Sequence, residues 1–293
     1  MINRVSNIKI TTYNVENLFD NIDDPSKDDG PPKSEEEKKA LAEVVKNLNS
    51  DIIALQEVEN VNIIKEVLSM AGLQDRYNII VGKSDGRGIA CALLVDKKFP
   101  IKSYTINEGD NTFYRPPVQA IVELAPSFNV QIFAVHFKAK MDPKSEEQRK
   151  KEAQRTIELA KKQNIPTIIL GDYNDLPNSE VSMMFEKAGF IDVREIDKQS
   201  KDTGTPTHFS IENLANENNS IESSDKNETY VDKPKPSIID YIRVTPNISK
   251  YVVQGSFDVL EKYEDPNTAI ASDHRPVSVI LGGFLKGFVE NKN

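Results

Sequence analysis

The sequence predicts a mixed α/β protein made of two packed sheets with helices on the outside. Short apolar runs of strand length alternate with helical patterns from end to end, strands outnumber helices, and the order of elements repeats in two similar halves. The predicted strands are 8–13, 51–56, 77–81, 89–95, 118–124, 130–137, 167–171, 238–244 and 277–281. The clearest helix begins at Ser34, where Ser34 and Glu37 form a capping-box pattern and Leu41, Val44, Val45 and Leu48 recur at helical spacing. A second helix is predicted from Pro143, suited to the first turn after Asp142, to about Gln163. Its wealth of Lys, Arg and Glu places it on the outer surface.

In each half a strand ends in a polar group, a helix follows, and a second strand ends in an acid. Asn14 and Glu57 are the two groups of the first half; His136 and Asp172 are those of the second. Face-to-face packing of the halves would bring all four to one edge, so one domain over 1–293 is expected. Residues 195–237, rich in Asn, Ser, Glu, Lys and Asp, interrupt the pattern and are expected to form a long, partly mobile surface loop. The acidic stretch 20–37 is read as a solvated loop.

The chain has 293 residues, 38% of them hydrophobic, and a formal net charge of -9. Such acidity opposes tight, metal-free binding of nucleic acid, but it suits an enzyme whose acids hold a divalent cation. Cys91 is the only cysteine, which excludes an intrachain disulfide and a thiolate zinc cluster. It lies in an apolar run and is read as a buried, inert thiol. The N-terminus has no apolar signal region and no apolar stretch reaches membrane-spanning length. A monomeric cytoplasmic protein without a membrane anchor is therefore expected, secretion being the alternative if a signal has been trimmed.

Two readings compete for the strand end Ile168-Ile-Leu-Gly-Asp-Tyr-Asn-Asp-Leu-Pro-Asn-Ser. A calcium EF-hand loop starting at Asp172 needs an oxygen ligand at its fifth position, Gly at its sixth and Glu at its twelfth, and the chain has Leu176, Pro177 and Met183 there. That leaves the rim of an active site that handles phosphate. Only three histidines are present: His136 at a strand end, His274 between Asp273 and Arg275, and His208 in Thr205-Pro-Thr-His-Phe. A lone strand-end histidine is more often structural than catalytic, whereas His274 sits in a polar knot before the strand at Val277.

Tyr13-Asn-Val-Glu-Asn-Leu-Phe-Asp, Leu55-Gln-Glu-Val, Arg87-Gly-Ile, Arg115-Pro-Pro, His136-Phe-Lys, Gly171-Asp-Tyr-Asn, Ile239-Asp-Tyr-Ile and Ser272-Asp-His-Arg-Pro occur in one order along residues 8–281. That ordered set resembles the endonuclease/exonuclease/phosphatase superfamily, the deoxyribonuclease I-like group. The resemblance implies a four-layer α/β/β/α sandwich of two packed mixed β-sheets flanked by helices, with a site at one edge between the sheets. It also implies a Mg²⁺-dependent hydrolase of phosphodiester bonds, with Mn²⁺ as the alternative ion. Position by position, Glu57 resembles the principal metal ligand, Asn14 the amide contacting phosphate or metal, and Asp273 a carboxylate near the same centre. Asp172 and Asn174 resemble the pair that holds water and scissile phosphate, His274 and Asp240 the oriented histidine and its carboxylate, and His136 a candidate general acid. Arg115 resembles a phosphate-gripping Arg able to hold two oxygens; Arg87 is a further candidate on a turn, and Glu16 a supporting acid. His208 matches no motif.

The chemistry asks for these residue types. A phosphodiester is anionic and resists water, so a catalyst must neutralise charge, align the nucleophile and stabilise the leaving oxygen. A DNA or RNA nuclease is the leading expectation. The alternative is a phosphatase or phospholipase of the same fold acting on inositol phosphates or sphingomyelin. A non-catalytic binding module is disfavoured, because every residue type that such chemistry needs is present.

Overall fold

The computed structural model describes residues 7–140, 143–209, 236–260 and 266–284. Two six-stranded sheets face each other. The first has the order β11-β12-β1-β2-β4-β3, from Asp258–Val259, Val277–Leu281, Ile8–Leu18, Ile52–Val58, Ala90–Asp96 and Tyr77–Val81. The second has the order β5-β6-β7-β8-β10-β9, from Ile101–Thr105, Val118–Ala125, Phe128–His136, Thr167–Asp172, Asp240–Val244 and Ile191–Asp192. The expected strands are all present, and the boundary shifts are informative. β1 runs on to Leu18, beyond the predicted end, because an irregularity between Asn14 and Leu18 lets it keep pairing with β2. β5 escaped prediction because it is an exposed polar edge strand, and β9 and β11 because two residues carry no periodicity.

Alternation of side chains about each strand explains the layers. Ile8, Ile10, Ile52, Ala54, Ile132, Ala134, Ile168, Leu170, Ile242 and Val244 point inward and form one core between the sheets. On the outer face of the first sheet, Tyr13, Ile53 and Leu55 pack against helices α1 (Glu35–Leu48) and α2 (Val61–Met70). On the outer face of the second, Phe133, Val135, Ile169 and Tyr173 pack against α3 (Pro143–Lys161) and α4 (Glu180–Lys187). The result is an α/β/β/α sandwich.

Ser34 caps α1 with the full capping box, accepting from the Glu37 N–H while the Glu37 carboxylate accepts from the Ser34 N–H. Such a cap is worth about 1 kcal/mol. Helix α1 joins the parallel pair β1/β2 and α3 joins the parallel pair β7/β8, so the two halves repeat the same crossover. Helix α3 is less external than its charge suggests, since Arg149, Glu152, Ala153, Ile157 and Ala160 are buried against the sheet.

The expected surface loop starts later than residue 195. A short helix, α5 (Val193–Ile196), leads to Asp197, which is fully buried and accepts from the backbone N–H groups of Gly255, Ser256 and Phe257 at 2.6, 2.8 and 2.8 Å. The remainder of that loop, 210–235, lies outside the described residues. Two short helices, α6 (Pro246–Ser249) and α7 (Pro266–Ala271), complete the chain. No helix among the described residues is long and apolar enough to cross a membrane.

Candidate active site

Strand parity carries polar groups to the edge where the inner core ends. Counting from the inward residues Ile10, Ala134, Leu170 and Ile242, the same alternation turns Asn14, His136, Asp172 and Asp240 into the space between the sheets. Register then brings them together: His136 lies opposite Asp172 across β7/β8, and Asp240 lies opposite Asp172 across β8/β10.

Glu57 should by parity face outward with Leu55. It does not, because its backbone is left-handed (φ 64°) and the ladders on both sides of β2 are irregular there. Glu16, Asn17 and Asn174 are also left-handed, with φ of 49°, 50° and 50°. Sparsely populated conformations of this kind gather where function over-rides local preference. Both Glu57 oxygens are gripped from the first sheet: Oε1 accepts from Asn14 Nδ2 (3.2 Å) and Oε2 from the Asn17 N–H (3.1 Å).

The cleft, about 240 Å³, is lined by Glu16, Glu57, Arg87, Arg115, His136, Asp172, Asn174, His208, Asp273 and His274. Asp172 Oδ2 is its hub. It accepts from Asn14 Nδ2 (3.1 Å) and Asn174 Nδ2 (3.2 Å), with His136 Nε2 at 3.4 Å and His274 Nε2 at 3.9 Å. Asp172 Oδ1 accepts from the Asn174 N–H at 2.7 Å. His274 Nδ1 is bonded to Asp240 Oδ2 at 2.9 Å, and Asp240 is fully buried.

Burial and its neighbour Asp240 push Asp172 up to about 7. Burial pulls the His274 imidazolium down, but the charges of Asp240, Asp172 and Asp273 and the bond to Asp240 outweigh it, and the group rises to about 10. Burial, aided by Arg115 and His274, holds His136 well below the usual histidine range. Its Nδ1 is buried with no hydrogen-bond partner among the described residues.

Not every candidate has the surroundings that its motif implied. Arg115, expected to grip two phosphate oxygens, is buried, and its guanidinium donates to Asp85 Oδ2 (3.0 Å) and to the carbonyls of His136 (3.3 Å) and Phe137 (2.9 Å). A guanidinium taken from water must place its N–H groups somewhere, and here it ties β7 to the turn before β4. Arg87 is exposed at the mouth, donating to Asn17 Oδ1 at 2.5 Å. Asn14 directs its amide N–H groups at the carboxylates, while its oxygen accepts from the Glu16 N–H at 3.0 Å. Cys91 is buried and inert, its thiol pushed up to about 12 by burial.

His208 was absent from the sequence-derived site, yet its ring lies on that of His274, with centroids 4.7 Å apart. The signal available was Thr207. Its hydroxyl oxygen accepts from the N–H groups of Ile239 and Asp240, both at 3.1 Å, which binds the Thr-Pro-Thr-His-Phe segment to the strand bearing Asp240.

The donor set fits a hard divalent cation. Glu16, Glu57, Asp172 and Asp273 all line one cleft, and Glu16 is raised by burial and then by the charge of Asp273, with the charge of Lys33 offsetting only part of the rise. Oxygen ligands of this kind suit Mg²⁺.

Gly171 lets the two strands of the site approach. Its φ is 152°, and a Cβ there would lie 1.9 Å from the Val135 carbonyl oxygen, so β7 and β8 would have to part. Gly171→Ala is expected to cost about 3 kcal/mol or more and to lower the melting temperature by roughly 10 °C, whereas Gly109→Ala, facing open space, should be nearly silent. Thermal unfolding followed by circular dichroism checks both; similar melting temperatures for the two variants would refute the close approach.

The fold and the motifs agree with what is similar to this chain. No curated protein sequence matches it. Among solved structures, an endonuclease/exonuclease/phosphatase from Bacteroides vulgatus is 17% identical, with a TM-score of 0.65 over 94% of this chain and 98% of that one. Truncated Caenorhabditis elegans TDP2 is 18% identical (TM-score 0.60, 94% and 98%), and a mannosyl-6-phosphatase from Bacteroides thetaiotaomicron 17% identical (TM-score 0.58, 94% and 99%). At these identities the likeness shows the fold alone. The family model for the Endonuclease/Exonuclease/phosphatase family matches residues 11–274, nearly the whole chain, and the protein therefore belongs to that family of hydrolases acting on phosphate esters.

Proposed function

We propose that this protein is a divalent-metal-dependent phosphodiesterase that cleaves nucleic acid by attack of water on phosphorus. The observation that carries the reading is the convergence on Asp172 Oδ2 of Asn14, Asn174, His136 and His274 from four separate segments. Glu57 and Asp273 would hold the cation, which supplies charge neutralisation at the phosphate when bound. Asn14 ties Glu57 to Asp172 through its two N–H contacts rather than through its oxygen.

Asp172, with Asn174 beside it, is placed to accept the proton of the attacking water as the new P–O bond forms. His274, kept as imidazolium by Asp240, presents Nε2–H to a phosphate oxygen, and its charge is fixed before reaction, the condition for electrostatic preorganisation. The P–O bond to the leaving group then breaks, and that oxygen takes a proton. His136 is the residue proposed to supply it through Nε2: held neutral by burial, it takes up the proton that Asp172 Oδ2, 3.4 Å away, received from the water, and passes that proton on to the leaving oxygen. Arg87, exposed and tethered by one hydrogen bond, is the group proposed to meet an adjoining phosphate, while Arg115 holds the floor beneath His136.

A second reading rests on the cleft itself. At about 240 Å³ the cleft is below the usual range for a drug-sized ligand. That size, with the net charge of -9, is also compatible with a small phosphomonoester.

A panel of single-stranded DNA, RNA, plasmid, inositol phosphates, a hexose phosphate and sphingomyelin decides between them. Oligonucleotide cleavage that stops in EDTA and returns with Mg²⁺ or Mn²⁺ is expected. Glu57→Gln should raise the Mg²⁺ concentration for half-maximal rate by about tenfold or more with the fold intact. Undiminished turnover in excess EDTA would sink the metal-dependent reading, and turnover of monoesters alone would replace the diesterase by the phosphatase.

A further inference from the structure

Beside the Asp172 hub, the mouth of the cleft holds a second convergence of donors. We propose that His208, Asp273 and His274 form a site for a borderline-soft divalent cation of the zinc class, and that its occupation withdraws His274 from the substrate. The three ligand atoms lie within 4.8 Å of one another. His208 Nε2 is 3.5 Å from Asp273 Oδ2, and His274 Nε2 is 3.9 Å from Asp273 Oδ1, so both rings turn the same nitrogen toward one carboxylate.

The remaining nitrogen of each ring is already engaged. His274 Nδ1 bonds Asp240 at 2.9 Å and His208 Nδ1 faces Ser237 Oγ at 3.4 Å. Histidines that bind metal are oriented in this way, with the nitrogen away from the ion held by a carboxylate or another polar group. Two imidazoles and a carboxylate are donors for Zn²⁺, whereas Mg²⁺ takes oxygen and keeps its waters. Donors around a tetrahedral Zn²⁺ sit about 3.3 Å apart, given bonds of about 2 Å, so the observed separations need only small side-chain rotations.

The backbone is braced for it. His208 exchanges both backbone hydrogen bonds with Ser237 (3.0 Å each), Phe209 N–H donates to Asp273 O (2.8 Å) and Arg275 N–H to Thr207 O (2.7 Å). The segments that carry the three ligands are thereby joined by isolated β-bridges through His208. The side chains of His208 and Asp273 are 24% and 20% exposed, leaving an open side for a fourth ligand from water. By contrast, Asp172, Asp240 and His274 are all buried.

The site stands on donor geometry alone; its inhibitory consequence rests on the hydrolase reading, in which His274 Nε2 carries the proton offered to phosphate. A cation binds that nitrogen only by displacing its proton to solvent, so the bound ion and the N–H contact exclude one another, and Co²⁺ binding should tighten as pH rises. Co²⁺, a coloured stand-in for Zn²⁺, is titrated into the metal-free full chain. We expect intense visible bands of a low-coordinate, histidine-ligated ion, displaced by stoichiometric Zn²⁺ but by Mg²⁺, which shares Asp273 alone of the three ligands, only in large excess. His208→Ala and the milder His208→Asn should weaken Co²⁺ binding at least tenfold, while Glu57→Gln leaves the bands unchanged. Absence of such bands in the wild type, or wild-type Co²⁺ affinity in both His208 variants, overturns the site. In assays with Mg²⁺, the Zn²⁺ concentration that halves turnover should rise about tenfold or more in His208→Ala. Intact cobalt bands without zinc inhibition would keep the site and overturn the role of His274 in hydrolysis.

Discussion

Asp172→Asn is expected to lower kcat by about a thousandfold while making the metal-free protein more stable above neutral pH. The loss of rate follows if Asp172 takes the proton of the attacking water, because an amide of the same shape cannot. The gain in stability follows from burial. Asp172 is 1% exposed and stands opposite Asp240, which raises it to about 7. Its ordinary value is near 3.8, so between these two values the folded state binds a proton that the unfolded chain has released. Stability is therefore lost as pH rises from about 4 to about 7, and stays lost above that. Asn carries no such cost. The variant should melt a few degrees above the wild type at about pH 8, with the gap closing near about pH 4. Mg²⁺ should raise the wild-type melting temperature more at about pH 8 than at about pH 5, since a cation favours the ionised carboxyl, and raise that of the variant less. A variant retaining a tenth or more of wild-type kcat would remove Asp172 from the chemistry, and a variant less stable than wild type at about pH 8 would remove the burial argument.

Much of this site was legible in the sequence because it obeys the alternation that makes strands. Asn14, His136, Asp172 and Asp240 share the inward face of their strands with the core residues, so reading the parity of β1, β7, β8 and β10 suffices to aim them at one edge. The repeated crossover, β1 to α1 to β2 and β7 to α3 to β8, was legible for the same reason. Glu57 was assigned by motif and not by parity, which points it the wrong way; only the left-handed backbone corrects it, and nothing in Leu-Gln-Glu-Val announces φ of 64°. Arg115 illustrates the opposite limit. Its motif suggested a free guanidinium, but Asp85, its partner at 3.0 Å, lies 30 residues away and enters only through the fold. His208 went unassigned because its relation to Asp273 and His274 is set by pairing between distant segments. Helix α2 was overlooked although Asn60 caps it, accepting from the N–H groups of Asn62 and Ile63; ten residues between two strands are easily taken for a loop.

His274→Ala and Asp240→Asn are expected to separate the charge of His274 from its mere presence. His274→Ala should reduce kcat by about a hundredfold or more with little change in KM, the pattern of an interaction made in the transition state. It also strands a fully buried Asp240, at a cost of roughly 3–5 kcal/mol, so its kcat must be referred to the folded fraction. Asp240→Asn keeps a hydrogen-bond acceptor at Nδ1 and avoids that difficulty. In the wild type His274 is pushed up to about 10, so it is imidazolium throughout the neutral range. The stability it contributes is fully present below its ordinary value of 6.5 and is lost as pH rises through about 10. Without the Asp240 charge, burial pulls the group back down, and the imidazolium gives way to the neutral ring near neutrality. The alkaline limb of the kcat profile should therefore move from about pH 10 to about pH 6–7. At about pH 6 the variant should approach wild-type kcat within roughly tenfold; at about pH 8.5 it should fall about a hundredfold below. Unfolding profiles provide the independent check, since the melting-temperature deficit of Asp240→Asn should be greatest at about pH 6.5 and shrink as pH rises toward about pH 10. An unchanged alkaline limb would mean that His274 acts without its proton, and the phosphate contact assigned to its Nε2–H would have to pass to another group, with Arg87 the exposed cation at the same cleft.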